Sequence, residues 1–110
     1  MRILVTGSAG RVGRAIYIKL MQKHDVVGLD ITPCSTTDFI GDIRDSILIK
    51  QALENIDAII HTAAIHAPHV GLVPDAEFQS INVEATEHLA LAGVKAGVKH
   101  FVFTTRLQLI

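Results

Sequence analysis

The sequence has few of the features that cross-link a protein or direct it to a charged partner. Cys34 is its single cysteine, it has no tryptophan, and ten basic residues nearly balance 11 acidic ones. One cysteine forms no disulfide within the chain, and such usage is typical of a reducing cytoplasm. A formal net charge of -1 without a basic stripe argues against nucleic acid and against an anionic membrane as partners.

Long hydrophobic runs are also missing, although 49% of the residues are hydrophobic. The longest run, residues 58–66, is interrupted by histidines and is shorter than the roughly 18 apolar residues that cross a bilayer. The apolar run at the N-terminus is shorter than the hydrophobic region of a signal peptide. A length of 110 residues suits one compact domain. We therefore predict a soluble, cytoplasmic, single-domain protein with no membrane partner.

Strand-like and helix-like hydrophobic periods alternate along the chain, which is typical of a parallel sheet covered by helices. The predicted strands cover residues 2–6, 26–30, 38–42, 57–62 and 100–104. The predicted helices cover residues 11–23, 46–53 and 75–96, the last capped by Asp75 and closed by Gly97. The spacing of apolar residues predicts one buried face for each of the first and last helices. In the first helix this face consists of Val12, Ala15, Ile16 and Leu20. In the last helix it consists of Phe78, Ile81, Ala85, Leu89, Ala92 and Ala96.

Three glycines, Gly7, Gly10 and Gly13, lie between the first strand and the first helix. This spacing allows a sharp turn, a close approach of backbone to a pyrophosphate, and tight packing of the helix on the sheet. The N–H groups at the start of a helix also attract an anion. Asp30 closes the second strand, where a carboxylate accepts hydrogen bonds from ribose hydroxyls. The pattern predicts a dinucleotide site, with a purely structural turn as the alternative.

Two charged residues bear on which dinucleotide binds. Asp30 would repel the 2′-phosphate of NADP, and so we expect NAD. Arg11 could reach an added phosphate or could simply be solvated, which leaves NADP as the less favoured cofactor.

Six segments, in order, resemble the motifs of the extended short-chain dehydrogenases/reductases, the NAD-dependent epimerases and dehydratases. They are the glycine loop, Asp30, and residues 41–45 (GDIRD), 61–64 (HTAA), 82–86 (NVEAT) and 101–105 (FVFTT). Together they span nearly the whole chain. The resemblance implies a Rossmann fold over residues 1–110, that is, a doubly wound parallel α/β sheet with strand order 3-2-1-4-5. It also implies that the substrate domain lies outside this chain.

The resemblance implies further cofactor contacts. In addition to Arg11 and Val12 beside the glycine loop, Asp42 and Ile43 would flank the adenine. Ala63 and Ala64 would bring the backbone close to the ribose and phosphates of the cofactor.

The resemblance also implies positions near the substrate. Asn82 matches an asparagine that supports the active-site backbone, although Ala85 stands where the family often has glycine. Thr104 and Thr105 match a Ser/Thr pair of which Thr105 would contact substrate, with ordinary strand chemistry as the alternative.

The family's catalytic Tyr-x-x-x-Lys pair is missing. Tyr17 is the only tyrosine, and Met21 follows it four residues later, so we interpret Tyr17 as a packing residue. The resemblance implies a parent enzyme that transfers a hydride between NAD and a sugar or nucleotide sugar, and we expect these 110 residues alone to be inactive. The alternative is a non-catalytic NAD-binding module that senses cofactor state or scaffolds a partner.

The remaining clusters receive structural interpretations. His61, His66 and His69 could bind zinc, but we expect no metal site, since His61 is better explained as a satisfied strand residue. Ser8 lies in the phosphate loop and lacks the Gly-x-Ser-x-Gly spacing of a hydrolase nucleophile. Both sheet edges should be open, and residues 107–110 form an apolar tail, which predicts a homo-oligomer.

Overall fold

The chain forms one parallel sheet with helices on both faces. The computed structural model describes residues 1–62 and 75–104, with the side chains of the long third helix described from residue 83 onward. The elements are β1 (Arg2–Thr6), α1 (Arg11–Leu20), β2 (Asp25–Asp30), β3 (Phe39–Ile40), α2 (Ser46–Ala52), β4 (Ala58–His61), α3 (Asp75–Ala96) and β5 (His100–Phe103). The strand order is β3-β2-β1-β4-β5 and every pairing is parallel, which confirms the predicted topology.

The pairing register assigns each strand residue to one of two faces. Leu4, Ile59 and Phe101 lie opposite one another in neighbouring strands and share one face. Val5, Ile60 and Val102 pair in the same way and share the other face. Because side chains alternate along a strand, a run of apolar residues such as β1 supplies both faces at once.

The face that carries Leu4 is covered by α2 and α3, and we call it the two-helix face. Its buried core takes these apolar side chains from the two helices: Ile49, Ala52, Ala85 and Leu89. Asp45 caps α2, because its carboxylate accepts hydrogen bonds from the N–H groups of Ile47 (3.1 Å) and Leu48 (3.2 Å).

The opposite face is covered by α1, and we call it the α1 face. Its buried cluster consists of Ile3, Val5 and Ala58, against which the half-buried Ile16 and Leu20 of α1 pack. This cluster is smaller than the core of the two-helix face, because one helix of ten residues covers fewer strands than two helices do.

Three residues of the predicted helix faces are exposed, and the prediction was wrong for them. Val12 and Ala15 face solvent because α1 approaches the sheet through Gly13, which is buried. In α3, Ala96 is exposed, whereas Ala85 and Leu89 are buried as predicted and Ala92 packs against the core. Phe78 and Ile81 lie outside the described side chains.

Two elements are three residues shorter than predicted. Helix α1 ends at Leu20, not residue 23, because the Leu20 carbonyl accepts the N–H groups of Lys23 (3.1 Å) and His24 (2.9 Å) in a closing turn. Strand β3 has two residues, not five, because the Asp38 carboxylate, rather than a strand carbonyl, accepts the Gly28 N–H (2.7 Å). Within the described residues, no helix has the length and apolar character needed to span a membrane.

Candidate dinucleotide site

The glycine loop turns the chain from β1 into α1. Gly7 has φ = 71°, a left-handed conformation that favours glycine, and its N–H donates to the Leu29 carbonyl over 2.8 Å. The N–H of Gly10 donates back to the Gly7 carbonyl over 3.0 Å, which closes the turn. A Cβ at Gly13 would collide with the Gly7 carbonyl oxygen and would lie 2.7 Å from Oγ1 of Thr62. The loop therefore has the geometry predicted for its first and third glycines.

The start of α1 has the electrostatics of an anion site. Gly10 is the N-cap residue, and no side chain caps the helix there. The first turn contains no acidic residue, and both Arg11 and Val12 are exposed. Because the N–H groups of a helix's first turn have no partner within the helix, they and the helix dipole attract negative charge. This end of α1 follows β1, which lies beside β4 at the point where the strand order reverses.

Asp30 ties the glycine loop to the end of β2. Its Oδ2 accepts the Ala9 N–H over 2.9 Å, and its Oδ1 accepts the Thr32 N–H over 2.9 Å. The side chain is half-buried, and a carboxylate has further lone pairs for ribose hydroxyls. The prediction of Asp30 as a ribose ligand stays a prediction, and sequence reasoning missed that its carboxylate binds the glycine loop through the Ala9 N–H. Its position at the end of the neighbouring strand was the only signal.

Ser8 faces the interior. It is fully buried, its carbonyl accepts the Thr36 hydroxyl over 2.6 Å, and its Oγ lies 3.2 Å from Oγ1 of Thr37. This burial agrees with the interpretation of Ser8 as part of a loop and not as a nucleophile. The two threonines, which hold the glycine loop against the β2–β3 connection, were missed because hydroxyl residues in a loop carry no distinctive pattern.

The GDIRD segment follows β3. Arg44 donates from Nη2 to Oδ2 of Asp42 (2.7 Å) and from its backbone N–H to Oδ1 (2.8 Å). The side-chain hydrogen bonds from Arg44 hold the pKa of the Asp42 carboxyl below its usual value. Ile43 belongs to the buried core of the two-helix face, so its side chain packs inward. The adenine contacts of Asp42 and Ile43 stay predictions.

His61, at the end of β4, links three elements. Its Nδ1 lies 2.6 Å from Oγ1 of Thr6 in β1, and its Nε2 lies 3.3 Å from Oγ1 of Thr86 in α3. The ring also meets Phe103 of β5 edge to face, with centroids 5.8 Å apart. Burial lowers the pKa of His61 to about 4. The interpretation of His61 as a satisfied strand residue agrees with this geometry, but the threonine partners were missed.

Several predicted site residues lie outside the described residues. Ala63, Ala64 and Thr105 are among them, as is the side chain of Asn82. The histidines His66 and His69, for which no metal site was expected, also lie outside the described residues. Thr104 is described, and its Oγ1 donates to the His61 carbonyl over 3.1 Å. In the described part of the chain, no group of three or more His, Cys, Asp or Glu residues is arranged to hold a metal ion.

The sheet order and the glycine loop define a doubly wound α/β domain of the Rossmann type. Residues 3–105 match the NAD dependent epimerase/dehydratase family. The chain belongs to this family, which confirms the resemblance found in its sequence.

Two relatives and one solved structure illustrate the similarity. A 3-beta-hydroxysteroid dehydrogenase of Mycolicibacterium neoaurum is 37% identical, over 94% of this chain and 31% of the relative. A UDP-glucose 4-epimerase of Klebsiella pneumoniae is 32% identical, over 96% of this chain and 88% of the relative. A short-chain dehydrogenase/reductase superfamily protein of Agrobacterium tumefaciens with bound NAD superimposes with a TM-score of 0.80. It is 35% identical, over 94% of this chain and 32% of that structure.

The chain is short beside the steroid dehydrogenase and the solved structure, since it spans about a third of the length of each. The names of the two relatives divide between a steroid and a nucleotide sugar. Family membership therefore does not specify a substrate.

Proposed function

We propose that this chain is the NAD-binding part of an enzyme of the epimerase/dehydratase family. The observation that carries the proposal is the uncapped N-terminus of α1, placed by the glycine turn at the reversal of strand order between β1 and β4. In open α/β sheets a ligand binds at this point, outside the carboxyl ends of the strands. The bound NAD of the Agrobacterium structure supports the choice of ligand.

The described residues fit NAD. Gly13 keeps the start of α1 close to the sheet, so the first-turn N–H groups can bind the pyrophosphate. Asp30, fixed by its bonds to the Ala9 and Thr32 N–H groups, would accept hydrogen bonds from ribose hydroxyls. The same carboxylate disfavours the 2′-phosphate of NADP through charge repulsion.

When bound, NAD supplies the hydride acceptor of the reaction. The chain has no Tyr-x-x-x-Lys pair, and the Tyr17 hydroxyl donates to the Asp38 carboxylate over 3.2 Å. We propose that residues 1–110 bind NAD without turnover, and that the protein acts on a sugar or nucleotide sugar by hydride transfer. The name of the Klebsiella relative supports this substrate class. Substrate contact by Thr105 and support by Asn82 belong to the same proposal.

A non-catalytic NAD sensor is the second candidate, favoured by the engagement of Tyr17, the only tyrosine of these 110 residues, with Asp38. Product analysis separates the two candidates. The full-length natural protein, given NAD and UDP-glucose, should yield an epimerised, dehydrated or oxidised product if it is a sugar enzyme. Binding of NAD without any such product would favour the sensor.

Cofactor titration tests the binding proposal. We expect the protein to bind NAD about tenfold more tightly than NADP, and Asp30→Asn to narrow that ratio by removing the repelling charge. Asp25→Asn is the matched control, because Asp25 begins the same strand and pairs with Arg2 over 2.7 Å. A protein that binds neither dinucleotide would contradict the proposal, and an unchanged ratio in Asp30→Asn would contradict the role of Asp30.

The cytoplasmic location, the organisation of residues 1–110 as one incomplete domain, and self-association through open sheet edges stay predictions. Sedimentation at high concentration would test the last, and a clean monomer would contradict it.

A further inference from the structure

The imidazole of His61 lies where β1, β4 and α3 meet. Its residue is only 6% exposed, and its two nitrogens face hydroxyls from different elements, Thr6 of β1 and Thr86 of α3. Thr6 is the last residue of β1 and directly precedes Gly7, where the turn into the glycine loop begins. The ring therefore connects the start of the candidate dinucleotide site to the long helix on the two-helix face.

Thr6 is held from the β4 side by several short hydrogen bonds. The Thr62 N–H donates to Oγ1 of Thr6 over 3.1 Å, and the Thr62 hydroxyl donates to the Thr6 carbonyl over 2.6 Å. The contact of Thr6 Oγ1 with His61 Nδ1 is also 2.6 Å. This group of bonds therefore fixes both the hydroxyl and the carbonyl of Thr6, the residue directly before Gly7.

We propose that His61 is a positioning residue for the dinucleotide site. It fixes the start of the glycine loop relative to α3 through a chain of hydrogen bonds from Thr6 to His61 to Thr86. The Thr6 hydroxyl donates to Nδ1 of His61, and Nε2–H of the neutral ring donates to Oγ1 of Thr86. The proposal rests on the NAD binding proposed above and adds residues that act on the loop through Thr6 rather than by contact with the cofactor.

The chemistry of a neutral imidazole supports this assignment. Such a ring has one donor nitrogen and one acceptor nitrogen, so its two threonine partners must play opposite roles. Thr6 Oγ1 already accepts the Thr62 N–H, and its 2.6 Å distance to Nδ1 is typical of a hydroxyl donor. Burial keeps the ring neutral at physiological pH, with a pKa lowered to about 4.

Loss of the Thr86 hydroxyl should therefore reach the glycine loop. In Thr86→Val the buried Nε2–H loses its acceptor, and the ring relieves this by changing tautomer or orientation, which removes the acceptor of the Thr6 hydroxyl. We expect the Kd for NAD to rise about three- to tenfold, the effect of one lost hydrogen bond. Thr86→Ser keeps the oxygen and should retain NAD affinity.

The test uses the full-length protein, with NAD itself as the probe. Val94→Thr is the matched control, since it exchanges the same two residue types in the opposite direction at a position of α3 that is 66% exposed. It should leave the Kd for NAD unchanged. Nitrogen NMR of the imidazole, assigned by comparison with His61→Gln, reports the tautomer. Protonation on Nε2 in the native protein and a changed His61 signal in Thr86→Val are the expected results, and a purely structural role would not require them.

The outcomes are distinguishable. Native protein that binds NAD, together with a Thr86→Val variant of native affinity, would overturn the positioning role and leave the proposed function intact. Protonation on Nδ1 in the native protein would overturn the assigned direction of the chain. Native protein that fails to bind NAD would overturn the proposed function and the positioning role together.

Discussion

The two faces of the sheet are built from the same strands but differ in how completely helices cover them. On the two-helix face, side chains of α2 and α3 surround strand residues such as Leu4 and Ile59, which are fully buried. On the α1 face, one helix covers β1 and its neighbours, and Val102 of β5 remains 51% exposed. Strand composition alone does not distinguish these faces, because β1 is apolar on both.

The difference shows that burial is decided by helix placement. Pairing places Val102 on the same face as Ile60 and Val5, yet Val5 is fully buried and Val102 is not. The candidate site draws on both faces. In the proposed NAD site, helix α1 would bind the pyrophosphate from one face, while His61 and Thr86 meet on the other.

The largest expected effect is on the two-helix face. Leu89 of α3 is fully buried in the core between this helix and the sheet. Leu89→Ala should lower the free energy of unfolding by about 2–5 kcal/mol, because the substitution leaves a cavity. Leu91→Ala is the matched control on the same helix, since Leu91 is 66% exposed, and should change it by less than about 0.5 kcal/mol. Urea denaturation measures both. Equal losses would mean that α3 does not cover this face as described.

Acid should act on the two-helix face through His61. The folded pKa of about 4 lies below the ordinary value of 6.5, so the unfolded state takes up a proton first as the pH falls. Stability from this group is complete above pH 6.5 and is lost as the pH falls toward 4. Between pH 7 and pH 5 the loss from His61 should be about 2 kcal/mol.

Denaturation of His61→Gln at both pH values checks this expectation. The variant should lack that part of the pH dependence, whereas the control His100→Gln, which removes an exposed histidine of β5, should retain it. An equal loss of stability in native protein and His61→Gln would show that His61 is not the titrating group.

The smallest effect is expected on the α1 face. Ile16 is half-buried against the sheet. Ile16→Ala should lower the free energy of unfolding by about 1–2 kcal/mol, less than Leu89→Ala, because folding buries less of the apolar surface of Ile16. Ile18→Ala, at an exposed position of the same helix, should be nearly neutral. A loss for Ile16→Ala as large as that for Leu89→Ala would remove the contrast between the faces.

Much of this architecture was predictable from local sequence. The apolar runs of the strands, the glycine spacing and Asp30 at a strand end indicated the parallel sheet and the loop correctly, and the family resemblance implied the strand order. The exposed Val12 and Ala15 were not predictable, because the rotation of α1 depends on the packing of Gly13 against Gly7. The threonine partners of His61 were missed because Thr6 and Thr86 are far apart in the chain and neither has a distinctive local pattern.

The sequence by itself determined which segments form strands, where the glycine turn lies and that a carboxylate closes β2, because hydrophobic period and glycine conformation are local properties. Tertiary structure decided which side chains of those segments are buried and which polar groups meet. The 2.6 Å contact between Thr6 and His61 exists only because β1 and β4 pair in a register that sets these residues opposite each other. Hydrogen bonds are short-ranged, so partners 55 positions apart in the chain meet only once the sheet has formed.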